Sequence, residues 1–119
     1  MAIWFVGDFL GLAVYRQSAS LADELHRIVW SWRSFDRWSV GMQAVRAADS
    51  VGANLAEASG RRTDADQRRL LIIARGSAFE LQHWLARASR RDLPLPPEAQ
   101  AKADELGRML NGLIKSSSD

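Results

Sequence analysis

Two stretches of the sequence place an acidic residue three positions before a histidine, a spacing that metal-binding helical bundles use. They are Glu80-Leu81-Gln82-His83 and Asp23-Glu24-Leu25-His26. Ligands of this kind project into the core of the bundle. At about 100° per residue, His83 lies about 200° from the Leu81 position and His26 about 100° from Leu25, and both leucines belong to predicted core seams. Both histidines are therefore predicted to point outward, and we predict neither a metal site nor a cofactor.

No other arrangement of residues predicts catalysis. The sequence has no cysteine, which excludes a thiol nucleophile, a thiolate metal site and a disulfide framework, and fits a reducing cytoplasm. Its serines stand outside a nucleophile-elbow context, and it has neither a Gly-x-Gly-x-x-Gly run nor a Walker loop. We therefore expect a protein that is not an enzyme and has no catalytic residues.

Arginine is the residue type whose distribution most favours binding. Fourteen of the 16 basic residues are arginines, and positions 61–91 hold eight arginines against three acidic residues, a local balance of +5. Guanidinium groups form forked contacts with phosphate or carboxylate, and a basic face attracts nucleic acid. The alternative interpretation is that these arginines form a solvated helix face with salt bridges and have no binding role. The candidate residues for binding nucleic acid or a partner are Arg61, Arg62, Arg68, Arg69 and Arg75.

A polar file accompanies these arginines on the stretch 50–62, which is otherwise rich in small residues. Glu57 and Arg61 are four residues apart, so their side chains can form an ion pair on a helix. Arg61 and Arg62 also neutralise the negative end of the predicted helix. Asn54 could cap its helix or bridge to a neighbouring one. A structural role and a binding role both remain open for this file.

The spacing of apolar residues predicts four helices that would position these groups. They cover residues 11–33, 38–59, a third stretch from Thr63 to a connector at 92–97, and a fourth from 97 or 98 to 115. Residues 34–37 are predicted to form a turn, Gly60 to cap the second helix, and Pro97 to lie in the first turn of the fourth. Short links between long helices predict an all-α, antiparallel four-helix bundle.

The same pattern predicts one domain over residues 1–119, with an apolar extension at 1–9 and a frayed tail at 116–119. No apolar run approaches the ~20 residues that span a bilayer, so no membrane partner is expected. The predicted core positions are Val14, Ser18, Leu21, Leu25, Ile28, Trp32, Val40, Ala44, Ala47, Val51, Leu55, Ala58, Leu70, Ile73, Ala74, Ser77, Ala78, Leu81, Trp84, Leu85, Ala88, Ala99, Ala103, Leu106, Leu110 and Leu113.

The second and third helices each carry a further apolar stripe, whereas a helix on the surface of a monomer needs only one. We predict contacts between copies of the chain at these stripes, with contact to a different protein as the alternative. Gly52 lies in mid-helix, where Gly costs roughly 1 kcal/mol relative to Ala, so a close helix approach or a kink is expected there. The predicted interface residues are Trp38, Met42, Val45, Gly52, Ala56, Ile72, Gly76 and Phe79.

Taken together, several of these stretches resemble the four-helix-bundle proteins of the 23S rRNA intervening-sequence family. The resemblance covers about residues 9–115 and assigns Asn54, Glu57 and Glu80 to the polar positions of the family motifs. This sequence departs from the family pattern at Asp49 and Ala58. The motifs are Ser50-Val51-Gly52-Ala53-Asn54-Leu55-Ala56-Glu57-Ala58, Gly60-Arg61-Arg62, Arg75-Gly76-Ser77-Ala78-Phe79-Glu80-Leu81 and Met109-Leu110-Asn111-Gly112-Leu113-Ile114.

The resemblance implies a left-handed, up-down-up-down bundle that assembles into a homopentamer around a central channel. It further implies a role like that of relatives that act as accessory factors of diversity-generating retroelements, which bind a reverse transcriptase and nucleic acid through a basic surface. We therefore expect a non-enzymatic, cytoplasmic homo-oligomer that presents its arginines to RNA, DNA or a reverse-transcriptase-like enzyme. The alternative is a protein-interaction scaffold that binds no nucleic acid.

Overall fold

Four long helices make up the computed structural model, which describes residues 8–117. Within that range there is no strand, and the prediction of an all-α, four-helix protein is confirmed. Positions 1–7 of the predicted apolar extension and 118–119 of the predicted tail lie outside the described residues. The helices are α1 (Asp8–Trp30), α2 (34–59, composed of Ser34–Asp36, the π-helical segment Arg37–Gly41 and Met42–Ser59), α3 (Asp64–Arg90) and α4 (Ala99–Ser116).

Each helix packs against two others, and the four surround a main apolar core; a second, smaller cluster of buried residues consists of Val29, Trp32, Val40 and Ala88. Helix α2 lies between α1 and α3, and α4 lies between α3 and α1, while the diagonal pairs do not approach one another. The described part of the chain measures 45 × 25 × 19 Å along its principal axes. None of its helices is long and apolar enough to cross a membrane.

The predicted core seams of α2 and α4 are confirmed in full, because every one of their positions is buried. On α1 only Ile28 falls short of full burial, and on α3 Ser77 and Trp84 are half-buried. The prediction for Ile73 is wrong, since 42% of this residue is exposed. Leu71 is buried instead, and it shares a row at intervals of seven residues with Ala78 and Leu85. Helix α3 therefore turns more of its surface towards α4 than the sequence pattern indicated.

The boundaries of α3 and α4 have different capping arrangements. Thr63 caps α3 as predicted, because its Oγ1 accepts a hydrogen bond from the backbone N–H of Asp66 at 3.1 Å. Gly60 does end α2, but its φ of −90° is one that any residue adopts. Pro97 lies outside α4, contrary to prediction. The chain enters α4 through Glu98, whose φ of 58° is left-handed, and the helix begins at Ala99.

The turn between the first two helices lies at residues 31–33 rather than at the predicted 34–37, which are helical. Trp32 explains the early end of α1. Its indole is buried, and Nε1 donates a hydrogen bond to the carbonyl oxygen of Pro94 at 2.9 Å. This contact ties the end of α1 to the connector between α3 and α4.

The π-helical segment at the start of α2 was not predicted, and it passes very close to α1. A Cβ atom added to Gly41 would lie 2.6 Å from Val29 Cγ1 and 3.2 Å from the Trp32 ring. Gly41 therefore lets α2 approach α1 at this point. Short π-helical segments widen one turn of a helix, and they redirect the side chains around it.

Candidate nucleic-acid interface

Two of the five candidate arginines, Arg61 and Arg62, lie in the connection between α2 and α3, and the other three lie along α3. Acidic partners engage two of the five. Arg61 forms an ion pair with Glu57 at 2.5 Å, one helical turn away, as the spacing predicted. The hydrogen bond that Arg61 donates to this carboxylate, together with the negative charge of the carboxylate, raises the pKa of Arg61 above its ordinary value. Arg69 lies 3.8 Å from Asp66, and both side chains are about half exposed. Exposed pairs of this kind contribute little to stability.

The other three arginines have no carboxylate partner among the described residues. Arg62 is exposed in the α2–α3 connection. Arg75 donates from Nη1 to the neutral Oδ1 of Asn111 on α4 at 3.0 Å, so its charge is not compensated. Arg68 is half-buried, and its enclosed Nε has no hydrogen-bond acceptor. Arg68 and Arg75 are seven residues apart, so they lie on one side of α3 about 10 Å from each other along the helix.

The polar residues of the family motifs have separate structural roles. Asn54 Nδ2 donates to the Ser50 carbonyl oxygen at 2.8 Å and to Ser50 Oγ at 3.1 Å. Ser50 Oγ in turn lies 2.8 Å from Ser77 Oγ, which links α2 to α3. Glu57 holds Arg61, while Glu80 is exposed. The Ser50–Ser77 link was not foreseen, because sequence spacing alone does not show which serines face each other between helices.

The predicted interface stripe on α3 is at the surface. Ile72 is 38% exposed and Phe79 is 48% exposed. Gly76 lies between them, and a Cβ atom added there would meet nothing within 4 Å. Arg75 extends along one edge of this stripe, where its guanidinium carbon lies 6.0 Å from the centre of the Phe79 ring. The stripe is therefore an apolar strip with a basic border.

The stripe predicted on α2 is divided between the surface and the interior. Trp38 is 59% exposed and Ala56 is exposed, whereas Met42 and Val45 are half-buried. Gly52 is buried, and a Cβ atom added there would lie 3.4 Å from Ser18 Oγ and 3.6 Å from the Tyr15 ring, both on α1. The close approach expected at Gly52 is thus made by a helix of the same chain.

The two histidines of the acidic–x–x–His spacings are exposed, as the helical phases predicted. Within residues 8–117, no group of three or more potential ligand side chains is placed to hold a metal ion. The basic set on and before α3 is therefore the candidate site that the sequence and the structure share.

Comparison with known proteins finds similarity both to a protein family and to solved structures. The model of the 23S rRNA-intervening sequence protein family matches residues 11–112. A protein of unknown function from the S23 ribosomal protein family of Bacteroides thetaiotaomicron has a similar solved structure, with a TM-score of 0.80 and 22% sequence identity. That similarity covers 90% of this chain and 99% of the other, and it shows a shared fold. No curated protein matches this sequence.

Proposed function

The chain belongs to the 23S rRNA-intervening sequence protein family, and from that premise we propose that it is a non-enzymatic, homo-oligomeric protein that binds RNA or DNA. The observation that carries this proposal is the set of uncompensated charges at Arg62, Arg68 and Arg75. Guanidinium groups bind phosphate oxygens through forked hydrogen bonds. Such contacts attach a protein to the nucleic-acid backbone without reading its sequence. The ligand class is therefore nucleic acid, without preference for a particular base sequence at this site.

Salt dependence of binding tests this assignment. We expect the association constant for a structured RNA to fall as salt rises, because each neutralised phosphate releases counterions. The double variant Arg62→Ala with Arg75→Ala should lower the magnitude of the logarithmic salt slope by about two. Arg108→Ala is the matched control, because Arg108 is an exposed arginine on α4 that is already paired with Glu105. No binding at low salt, or equal slopes for all three proteins, would reject nucleic acid as the ligand.

The homo-oligomer, which we propose to be a pentamer, is supported by the apolar strip of Ile72, Gly76 and Phe79 on α3. Exposed apolar surface bordered by polar groups commonly marks a contact with another protein. Five copies of the 13.3 kDa chain would have a mass of about 67 kDa in light scattering. Ile72→Lys should lower that mass, while Ile73→Lys, at an adjacent exposed position about 100° around the helix, should leave it unchanged. Equal masses for both variants would remove this strip from the interface.

We also propose that the bundle has up-down-up-down connectivity and a left-handed twist. Sequence neighbours among the helices are also spatial neighbours, and α4 closes the ring against α1. Short connections between such neighbours favour an antiparallel arrangement, and shallow packing along heptad-like seams favours a left-handed twist.

A second candidate function is favoured by the same exposed strip on α3. Its occupant would be a different protein, such as the reverse-transcriptase-like enzyme that the family resemblance implies, and the arginines would form the polar border of that contact. A mass of 13.3 kDa for the isolated protein, together with absent nucleic-acid binding, would select this protein-interaction scaffold over the nucleic-acid-binding oligomer.

A further inference from the structure

We propose that the end of the bundle opposite Arg61 and Arg62 carries a stacking platform for unpaired nucleic-acid bases. The platform consists of Trp30, Phe35 and Trp38. It rests on the proposed function in taking nucleic acid as the ligand, and it adds a second contact with a different chemistry. Trp38 and Arg61 are 23 residues apart on and just beyond one helix, which places the two contacts about 34 Å from each other.

The platform residues are the three most exposed large apolar side chains among those described. Phe35 is 82% exposed, Trp30 63% and Trp38 59%. All three lie within nine residues around the α1–α2 turn. Burial of a large aromatic side chain is strongly favourable, so aromatic residues are usually found in the core or at an interface. Three exposed aromatic side chains at one place therefore mark a binding surface.

Arg37 supports Trp30 from one side. Its guanidinium carbon lies 4.6 Å from the centre of a Trp30 ring, within the range of a cation–π contact. The same side chain donates from Nη2 to the Trp32 carbonyl oxygen at 3.1 Å, which fixes the guanidinium in place. Because Trp30 remains 63% exposed, its ring is accessible to a planar ligand that would continue the stack.

Two recesses lie on either side of the start of α2, and each has an aromatic wall. The recess towards α1 has a volume of about 160 Å³ and includes Trp30 and Trp38 with Met42 and Arg46. The recess towards α3 has a volume of about 480 Å³ and includes Phe35, Trp84 and Arg91. The aromatic side chains therefore flank one ridge, over which a single strand could place successive bases.

The positive charge around the platform indicates that its ligand is a polyanion rather than an apolar protein segment. Residues 26–46 contain four arginines and one aspartate, a balance of +3. Arg46 and Arg91 each line one of the two recesses, next to the aromatic rings. Interleaved arginines and aromatic rings are the pattern by which proteins bind single strands, with phosphates on the cations and bases on the rings.

The ligand should be single-stranded, because stacking on a protein ring requires a base whose face is accessible. In a duplex these faces are covered by neighbouring base pairs, so an exposed aromatic ring of the protein cannot stack on them. In a single strand every base presents a face that can stack on Trp or Phe without regard to its identity. The platform therefore selects single-stranded over double-stranded nucleic acid, whereas the arginines of α3 bind both.

Fluorescence anisotropy with three labelled probes of about 12 nucleotides tests the platform: a single strand, the same backbone without bases, and a duplex. The wild-type chain should bind the single strand more tightly than the abasic strand. Phe35→Ala and Trp30→Ala should each weaken single-strand binding by about 5-fold or more, since each loses one stacked base, and should leave duplex binding unchanged. Trp30→Phe should retain most of the affinity because it keeps an aromatic face.

Four other outcomes would each reject the stacking platform, and they can be distinguished from one another. Equal affinity for the single strand and the abasic strand would mean that only phosphates are bound, which leaves the proposed function intact. Unchanged single-strand binding in both alanine variants would place stacking elsewhere. A loss of oligomeric mass in Trp38→Ala with full binding would make this patch a contact between subunits. Absent binding of all three probes would reject nucleic acid as the ligand altogether. Phe35 is mostly exposed, so its replacement tests binding without unfolding the chain.

Discussion

Replacing Gly41 by alanine is expected to destabilise the fold, although the same change usually stabilises a helix. A Cβ atom at this position would lie 2.6 Å from Val29 Cγ1, about 1 Å closer than the ~3.5–4.0 Å optimum for two carbon atoms. It would also lie 3.1 Å from the Asp36 carbonyl oxygen and 3.2 Å from the Trp32 ring. Val29 and Trp32 are buried, so neither side chain can move freely into solvent. Overpacking of this kind costs about 1–3 kcal/mol.

Gly76→Ala is the matched control for that cost. Within one chain its Cβ would meet nothing within 4 Å, so the change inside the protomer is the gain from replacing a helical glycine, about 1 kcal/mol. An effect on the proposed α3 interface would appear as a change in oligomeric mass. Both variants gain a helix-favouring residue, and this gain therefore cancels when the two are compared. The difference between their unfolding free energies should be the packing cost at Gly41, about 1–3 kcal/mol.

Urea unfolding followed by circular dichroism measures both free energies. The samples need equal protein concentration and verified equal oligomeric mass, because assembly stabilises the folded state by mass action. In a Val29→Ala background the obstructing methyl group is absent, so Gly41→Ala should become neutral or stabilising. If Gly41→Ala and Gly76→Ala shift stability equally in the wild-type background, the close approach of α2 to α1 is wrong.

Three further changes test individual hydrogen bonds by the same unfolding measurement. Ser77→Ala should cost about 1 kcal/mol because it removes the link from Ser50 between α2 and α3, and an unchanged midpoint would mean that the link contributes nothing. Thr63→Ala should cost about 1 kcal/mol through loss of the α3 cap, and Thr63→Ser should restore most of it; equal stability of the two variants would contradict the capping role. Trp32→Phe keeps the buried ring but removes the donor to Pro94, so it should cost about 0.5–1.5 kcal/mol, and a stabilised variant would oppose that assignment.

The helices and their buried seams were predictable because burial imposes a period on the sequence. Every seam position on α2 and α4 is buried, since a helix with partners on fixed sides must repeat apolar residues every three to four positions. Ile73 and Leu71 were harder to separate, because both are apolar and lie on opposite edges of the same face. Their burial depends on the angle at which α3 meets α4, which the spacing along one helix does not contain.

The polar contacts of the candidate arginines could likewise be predicted within one stretch of chain but not between helices. The Glu57–Arg61 pair could be predicted because the two residues are four positions apart, which brings their side chains together at the end of α2. The contact of Arg75 with Asn111 joins residues 36 positions apart on different helices, and the sequence has no local signal for it. The exposure of Trp30 was not predicted, although its position about 180° around α1 from the buried Leu21 is a local signal for it.

The two apolar stripes on α2 illustrate why a pattern on one helix predicts the number of its contacts better than the identity of its partners. The sequence pattern placed Gly52 in an outer stripe, but Ser18 and Tyr15 of α1 pack against it. Helix α2 thus packs against α1 and α3 of its own chain, and much of its second stripe is used internally. On α3 the corresponding strip is only partly covered: a Cβ atom added to Gly107 of α4 would lie 3.4 Å from the Phe79 ring, yet Phe79 is 48% exposed and Ile72 is 38% exposed. A contact between copies should therefore depend more on α3 than on the middle of α2, and substitutions at Ile72 should change oligomeric mass where Gly52→Ala does not.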